Sequence, residues 1–145
     1  ELGGCHDYGL LLSAGARALG FPAVMVETYR LSWMRAYQEG SLEGGYQGHI
    51  FVEVYLGDRW VLVDPVSGWY VAEGYDPGQQ VIPLPEPSSD PPQERDGHYV
   101  DLRGTDSWAM GIYSVEDLNQ RMEEVAEAFD PAAISFPQYT FQRFE

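Results

Sequence analysis

Two neighbouring strand patterns constrain the fold of this 145-residue chain more than any other feature of its sequence. His49–Tyr55 (HIFVEVY) places three aliphatic side chains on one face of a strand by simple alternation. Arg59–Asp64 (RWVLVD) is equally rich in β-forming residues and follows after a link that contains Gly57-Asp58. A short Gly-Asp link between two such segments is typical of a β-hairpin. The chain is therefore expected to contain an antiparallel sheet that includes this hairpin.

The residues before the hairpin predict a helix over Cys5–Leu19. Apolar residues recur there at three- and four-residue steps, which places them in one stripe along the helix. The stripe contains Tyr8, Leu11, Leu12, Ala16 and Leu19. Gly20 stands where a C-terminal cap belongs, and Pro22 prevents the helix from continuing. We expect this helix to pack on the antiparallel sheet.

The remaining segments predict further strands, a second helix and two irregular connections. Gly-rich and Pro-rich stretches mark the connections, and a Ser cap with Asp three residues later marks the helix. In chain order these are a strand at Ala23–Tyr29, a Gly-rich connection at Leu31–Gly48, one or two short strands within Gly68–Ile82, a Pro-rich loop at Pro83–Gly97, a strand at Tyr99–Leu102 and a C-terminal helix at about 115–129. The aromatic C-terminal segment is expected to pack on the body of the domain or on a partner. The sequence thus predicts a single α+β domain over residues 1–145.

The charge balance restricts the class of partner. The chain has 8 basic residues, all of them Arg, against 23 acidic ones, and its formal net charge is −15. A surface of this sign repels polyanions, so nucleic acid and anionic lipid are poor partners. The excess of acid is typical of a well-solvated surface, and a preference for basic substrates is the alternative interpretation.

No segment of the sequence has the pattern of a membrane anchor or an export signal. A membrane-spanning helix needs roughly 20 consecutive apolar residues, and no run in the chain approaches that length. A basic leader followed by an apolar region is also missing from these residues. We expect no membrane contact, with the cytoplasm slightly favoured as the location.

The single cysteine, Cys5, is the main candidate for chemistry. One thiol forms neither an internal disulfide nor a thiolate-rich zinc site. No calcium-loop spacing is present, and the absence of Lys excludes a phosphate-binding P-loop, so no metal or cofactor is expected. A structural thiol and a nucleophile remain as alternatives. Cys5 starts a helix, where unpaired N–H groups and the helix dipole favour a thiolate, and this position favours the nucleophile.

A nucleophilic thiolate needs a base and a group that orients the base, and the hairpin supplies both. His49 begins one strand and Asp64 ends its partner, so the two lie within about two residues of facing each other, a stagger of about 7 Å. A carboxylate there accepts a hydrogen bond from one imidazole nitrogen and leaves the other for Cys5. The weaker candidates for the base are His6, expected at a rim or in solvent, and His98, which follows the Pro-rich loop.

Three blocks of the sequence resemble the transglutaminase-like superfamily. GCHDY and ARALGFPA are similar to the family's nucleophile helix, GHIFVEV to its histidine strand and WVLVDP to its aspartate strand. The blocks occur in the family's order. The resemblance covers residues 3–66, which are the expected catalytic core.

The resemblance implies a papain-like α+β core in which Cys5 is the nucleophile, His49 the general base and acid, and Asp64 the orienting residue. It also implies a protein or peptide substrate, whose amide carbonyl is attacked to give a thioester. We expect hydrolysis of that thioester. Protein-glutamine amine transfer and a non-catalytic module that binds peptide or protein are the alternatives. The Cys5 N–H supplies one oxyanion donor, and the second is not identified, because the family's donor side chain commonly lies upstream of the nucleophile.

Overall fold

The computed structural model describes residues 4–41, 44–85 and 95–145. These residues form an α+β fold in which helices accompany one antiparallel sheet. The elements in chain order are α1 (Cys5–Ala18), β1 (Ala23–Arg30), α2 (Leu31–Glu39), β2 (Gly48–Tyr55), β3 (Trp60–Asp64), β4 (Trp69–Val71), β5 (Val81–Pro83), β6 (Gly97–Gly104), α3 (Val115–Ala128), a 3₁₀ turn (Pro131–Ala133) and β7 (Gln142–Arg143). The central residues of the predicted Pro-rich loop, 86–94, lie outside the described residues.

The sheet has seven strands in the order β5-β6-β1-β2-β3-β4-β7, and each neighbouring pair is antiparallel. The predicted hairpin is β2–β3, in which Val52 faces Val63 and Tyr55 faces Trp60. The start of β2 and the end of β3 therefore lie at the same end of the sheet. The C-terminal segment also joins the sheet, because β7 pairs with β4. None of the described helices is long and apolar enough to serve as a membrane span.

Helix α1 contacts β1 and β2, but its contacting face differs from the predicted stripe. The buried residues of α1 are Gly9 and Ser13, and Leu12 and Ala16 pack beside them against β1 and β2. Three residues of the predicted stripe are exposed instead, namely Tyr8, Leu11 and Leu19. Only part of the predicted stripe therefore faces the sheet, because small residues, which allow the helix backbone to approach the strands, determine which face is buried.

Gly9 tests this close approach. A Cβ atom at Gly9 would overlap the Cγ2 methyl of Ile50, whereas a Cβ at Gly15 would meet nothing within 4 Å. Overpacking costs about 1–3 kcal/mol, so Gly9→Ala is expected to lower the free energy of unfolding by about 1 kcal/mol even after the gain in helix propensity. The matched control Gly15→Ala is expected to raise it by up to about 1 kcal/mol. Urea unfolding of both variants measures the difference, and equal effects would contradict the close approach.

A second helix occupies part of the segment Leu31–Gly48, which the sequence predicted to be a Gly-rich connection. Helix α2 begins directly after β1 and ends at Gly40, whose φ of 71° is in the left-handed region that favours glycine. Leu31 and Met34 lie on its buried face and pack against α3. The prediction was wrong because the glycines begin only at residue 40, and the residues before them carry apolar side chains at helical spacing.

The two faces of the sheet carry separate cores. Tyr29, Met34 and Met122 belong to the core between the sheet and helices α2 and α3. Phe51 and Trp69 belong to a core that partly buried aromatic residues of the C-terminal segment, Tyr139 and Phe141, help to cover. His49 lies near the start of β2, and its largely buried side chain contacts the rings of Phe51 and His98.

Candidate active site

Cys5 is the first residue of α1, and the preceding Gly4 has an extended backbone. Cys5 is partly buried and packs against a hydrophobic cluster that includes Met25 and Ile50. Position at the start of a helix places the sulfur near backbone N–H groups that have no partner within the helix. The local fold thus provides an environment that favours negative charge at this sulfur.

His49 and Asp64 lie close together at the open end of the β2–β3 hairpin. Nε2 of His49 lies 2.9 Å from Oδ2 of Asp64, and the two side chains are 18% and 3% exposed. The second oxygen of Asp64 accepts hydrogen bonds from the N–H groups of Val66 and Ser67, each at 3.0 Å. The turn after β3 therefore fixes the carboxylate, and the carboxylate fixes the imidazole ring.

The His49 imidazole is near enough to the Cys5 thiol to lower the pKa of the thiol, and the thiol in turn raises the pKa of His49. Because Nε2 is engaged by Asp64, Nδ1 is the nitrogen left to face the sulfur. The structure thus brings together all three predicted site residues in the order thiol, imidazole, carboxylate.

The pKa of the Cys5 thiol is lowered from its ordinary value. Burial alone would raise this pKa, but the hydrogen bond with His49, the charges of His49 and His6, and the N–H of Ile50 outweigh burial. These groups all stabilise the thiolate.

The pKa of His49, the imidazole beside the thiol, is raised. Burial would lower the pKa of His49, but its hydrogen bonds with Asp64 and Cys5 raise it to about 9. Burial likewise opposes ionisation of Asp64, yet the hydrogen bonds from His49 and from the Ser67 backbone lower its pKa. At neutral pH the arrangement therefore favours an imidazolium and a carboxylate, and it shifts the equilibrium of the thiol toward the thiolate.

The family comparison covers this same constellation. Residues 1–65 match the family model of the transglutaminase-like superfamily, and this stretch contains the thiol, imidazole and carboxylate. The resemblance to the transglutaminase-like superfamily is confirmed. This match supports cysteine-based acyl transfer in general. No curated protein and no solved structure gives a significant match to the chain.

The side chain of His98 packs beside His49. Its ring lies 5.5 Å from that of His49 and 5.0 Å from that of Phe51, measured between centroids. Burial and the positive charges of His49 and Arg30 lower the pKa of His98 to about 3, so its ring stays neutral. The acid beside it in the sequence, Asp101, binds Tyr29 and an Arg of α3 instead. His98 is thus a neighbour of the base, and sequence reasoning, which considered it only as a rival base, missed this placement.

His6 is partly exposed and is held by two neighbours. Its side chain is 30% exposed, its Nε2 lies 3.0 Å from Oε2 of Glu27, and its Nδ1 lies 2.9 Å from Oγ of Ser107. This exposure is compatible with the predicted rim position, and the contact with Glu27, which is fully buried in the middle of β1, is a feature that the sequence analysis missed. The signal for this pair was a lone acidic residue inside an apolar strand, AVMVETY.

A cavity of about 470 Å³ adjoins the imidazole and carboxylate of the site. Its wall includes Arg30, Gln47, Trp69 and His98, which makes it part polar and part aromatic. Arg30 is held by an ion pair with Asp96 at 2.8 Å. The cavity provides space beside the base for a group of a bound molecule.

The described residues provide no metal site. Among residues 4–41, 44–85 and 95–145, no group of three or more His, Cys, Asp or Glu side chains could hold a metal ion.

Proposed function

We propose that this chain is a cysteine enzyme that transfers the acyl group of an amide or peptide through a thioester at Cys5, with water as the acceptor. In this proposal residues 1–145 form a single transglutaminase-like domain of papain-like type, and α1 is its nucleophile helix. The observation that carries the proposal is the contact of His49 with Asp64 at 2.9 Å, together with the opposite pKa shifts that Cys5 and His49 cause in each other. Protein or peptide is the proposed substrate class.

The first half of the proposed reaction forms the thioester. The Cys5 thiolate attacks the carbonyl carbon, and the electron pair of the C=O bond moves onto oxygen. When the tetrahedral intermediate collapses, the C–N bond breaks and the imidazolium of His49 gives its proton to the leaving amine. The products are a free amine, a neutral imidazole and an acyl group on the sulfur.

The second half releases the acyl group. Neutral His49 takes a proton from water while the water oxygen attacks the thioester carbonyl. Collapse of this intermediate breaks the C–S bond, which yields a carboxylic acid and restores the thiolate and the imidazolium. Asp64 keeps the ring in the orientation and tautomer that both halves require.

Oxyanion stabilisation in this mechanism comes from the first turn of α1. The Cys5 N–H is one donor, because backbone donors at the start of a helix lack intrahelical partners. A second donor is expected, since loss of one oxyanion donor typically costs about 10²- to 10³-fold in rate.

An activated ester tests the acyl-enzyme step directly. Incubation with 4-nitrophenyl acetate, followed by intact-mass measurement after acid quench, is expected to show one acetyl group on the protein. The acetyl group is expected to be absent from Cys5→Ala and to form far more slowly in His49→Ala. Acetylation that is equal in all three proteins would contradict the proposal. Failure of the wild-type chain to acetylate would favour the non-catalytic binding module.

The acceptor is tested by competition between water and an amine. A fluorescent primary amine is added together with a glutamine-containing peptide and, separately, with the activated ester. Hydrolysis predicts release of acid with little amine incorporated. Incorporation into the glutamine peptide that stops in Cys5→Ala would overturn the preference for hydrolysis and favour amine transfer.

A further inference from the structure

Glu27 is a carboxylate in an unusual place. It lies in the middle of β1, an interior strand of the sheet, its residue is 0% exposed, and its side chain packs on the side of the sheet that carries α1. A buried carboxylate without a cation is strongly unfavourable. Within the described residues neither of its oxygens has a hydrogen-bond donor with good geometry, and the cation that approaches it is the imidazole of His6 at 3.0 Å.

His6 is held so that both ring nitrogens face oxygen atoms. Nε2 lies 3.0 Å from the Glu27 carboxylate and Nδ1 lies 2.9 Å from the Ser107 hydroxyl. An imidazolium pairs its positive charge with the carboxylate and donates to the hydroxyl at the same time, whereas a neutral ring brings no charge to the carboxylate. The geometry therefore matches the charged form of His6.

The Glu27 carboxylate also borders the residue that precedes the base. A Cβ atom at Gly48 would lie 3.4 Å from Oε1 of Glu27. The Glu27 carboxylate thus contacts His6, which follows Cys5, and lies beside Gly48, which precedes His49. No part of the proposed acyl-transfer mechanism uses this carboxylate.

We propose that His6 and Glu27 form a second imidazole–carboxylate pair, which holds a positive charge beside the Cys5 sulfur and thereby stabilises the thiolate. Both are positioning residues, because they act through Cys5 and touch no reacting atom. This inference rests on the proposed function of Cys5 as the nucleophile. The pair explains why an ionisable residue is retained in the centre of an otherwise apolar strand.

The charges around the pair are consistent with this role. The contact with the Glu27 carboxylate raises the pKa of His6, and burial, which would lower that pKa, is the smaller effect. Burial raises the pKa of Glu27, and the imidazolium of His6 opposes that rise. The charged or titratable groups that act on the pair are Cys5 and Asp7 on α1, His49 on β2 and Asp101 on β6.

The test is the pH dependence of Cys5 alkylation by iodoacetamide in His6→Gln and Glu27→Gln. The reaction reports on one site, because Cys5 is the only cysteine in the chain. His6→Gln removes the positive charge itself, and Glu27→Gln removes the carboxylate that keeps His6 protonated. Loss of a positive charge near a thiol typically raises the thiol pKa by about 1 unit or more, so each variant is expected to raise the alkylation midpoint by about 1 pH unit. Below the midpoint this is about tenfold slower alkylation. The double variant is expected to shift no further than the larger single shift, because the pair acts as a unit.

Glu53→Gln is the matched control, because Glu53 is a second buried carboxylate of the sheet, at 2% exposure, whose partner is Arg103. It is expected to weaken the fold without moving the midpoint. Circular dichroism establishes that each variant is folded. If Glu27→Gln fails to fold, His6→Gln carries the test, because that side chain is 30% exposed.

The outcomes separate this inference from the function on which it rests. An unchanged or lowered midpoint in folded His6→Gln overturns the His6–Glu27 pair alone if His49→Ala still raises the midpoint. A rise in His6→Gln without a rise in His49→Ala would support the pair and contradict the proposed roles of Cys5 and His49. A rise of equal size in Glu53→Gln would show a general loss of packing and would overturn the inference.

Discussion

Asp64→Asn is expected to lower steady-state turnover of 4-nitrophenyl acetate by about 10³- to 10⁴-fold while the protein remains folded. The Asp64 carboxylate accepts from Nε2 of His49, which leaves Nδ1 to exchange a proton with Cys5. An Asn amide can donate to Nε2 instead, which moves the ring proton to Nδ1 and removes the base. Oδ1 of residue 64 still accepts from the turn N–H groups, so the fold is expected to persist.

Asp76→Asn is the matched control for this variant. Asp76 also closes a turn, in which its Oδ1 accepts from the Gly78 N–H at 2.8 Å and its Oδ2 lies 3.4 Å from Nε2 of Gln79. Its turnover is expected to equal that of the wild type. If Asp64→Asn turned over within about threefold of the wild type, the orienting role of Asp64 would be refuted, because loss of the correct tautomer costs far more.

Arg103→Met is expected to cause the largest loss of stability among single surface-cation variants, about 3 kcal/mol in the free energy of unfolding. Arg103 binds both oxygens of Glu53 at 3.0–3.2 Å, and Glu53 is 2% exposed. Removing the cation leaves a buried carboxylate with the Tyr75 hydroxyl as its remaining partner, at 2.5 Å. The value lies at the low end for a broken buried pair, because the Arg103 side chain is 35% exposed.

The control for this variant is Arg59→Met. Arg59 approaches Asp58 at 3.6 Å and Glu73 at 3.4 Å, and the two acids are 72% and 75% exposed. Exposed pairs contribute about 0–1 kcal/mol, so this variant is expected to unfold at nearly the wild-type urea concentration. Equal shifts of the two urea midpoints would contradict the view that burial of Glu53 sets the cost.

The hairpin and its site could be predicted from local sequence because the relevant geometry is local. Alternation assigns the faces of β2, and the Gly57-Asp58 link fixes the register that places His49 within about two residues of Asp64. The thiol at the start of α1 could be predicted in the same way, from a helix pattern and its position. Three short blocks in family order then predicted the superfamily that the comparison confirmed over residues 1–65.

Features that depend on how elements pack could not be predicted in this way. The buried face of α1 is set by contact of Gly9 with β2, and a count of apolar positions selects Leu11, which is exposed. Helix α2 was missed because the glycines that follow Glu39 dominated the composition of the whole segment. The His6–Glu27 pair joins a helix to a strand across 21 positions of the chain, and only the folded arrangement brings them together.

The acidic surface has a consequence for kinetics that does not depend on the triad. With a net charge of −15, the chain attracts basic peptides and repels acidic ones over distances of about a Debye length. This effect acts on association and falls with added salt. It is compatible with hydrolysis and with amine transfer alike.

The most direct measurement of the central claim is the rate of Cys5 alkylation as a function of pH in the wild type and in His49→Ala. In the wild type the midpoint is expected to lie below the ordinary thiol value of about 8.5, because the His49 imidazolium stabilises the thiolate. In His49→Ala the midpoint is expected at or above about 8.5, since burial then acts without the opposing charge, and alkylation at pH 6 slows by about tenfold or more. A wild-type midpoint near 8.5 that His49→Ala leaves unchanged would contradict the account.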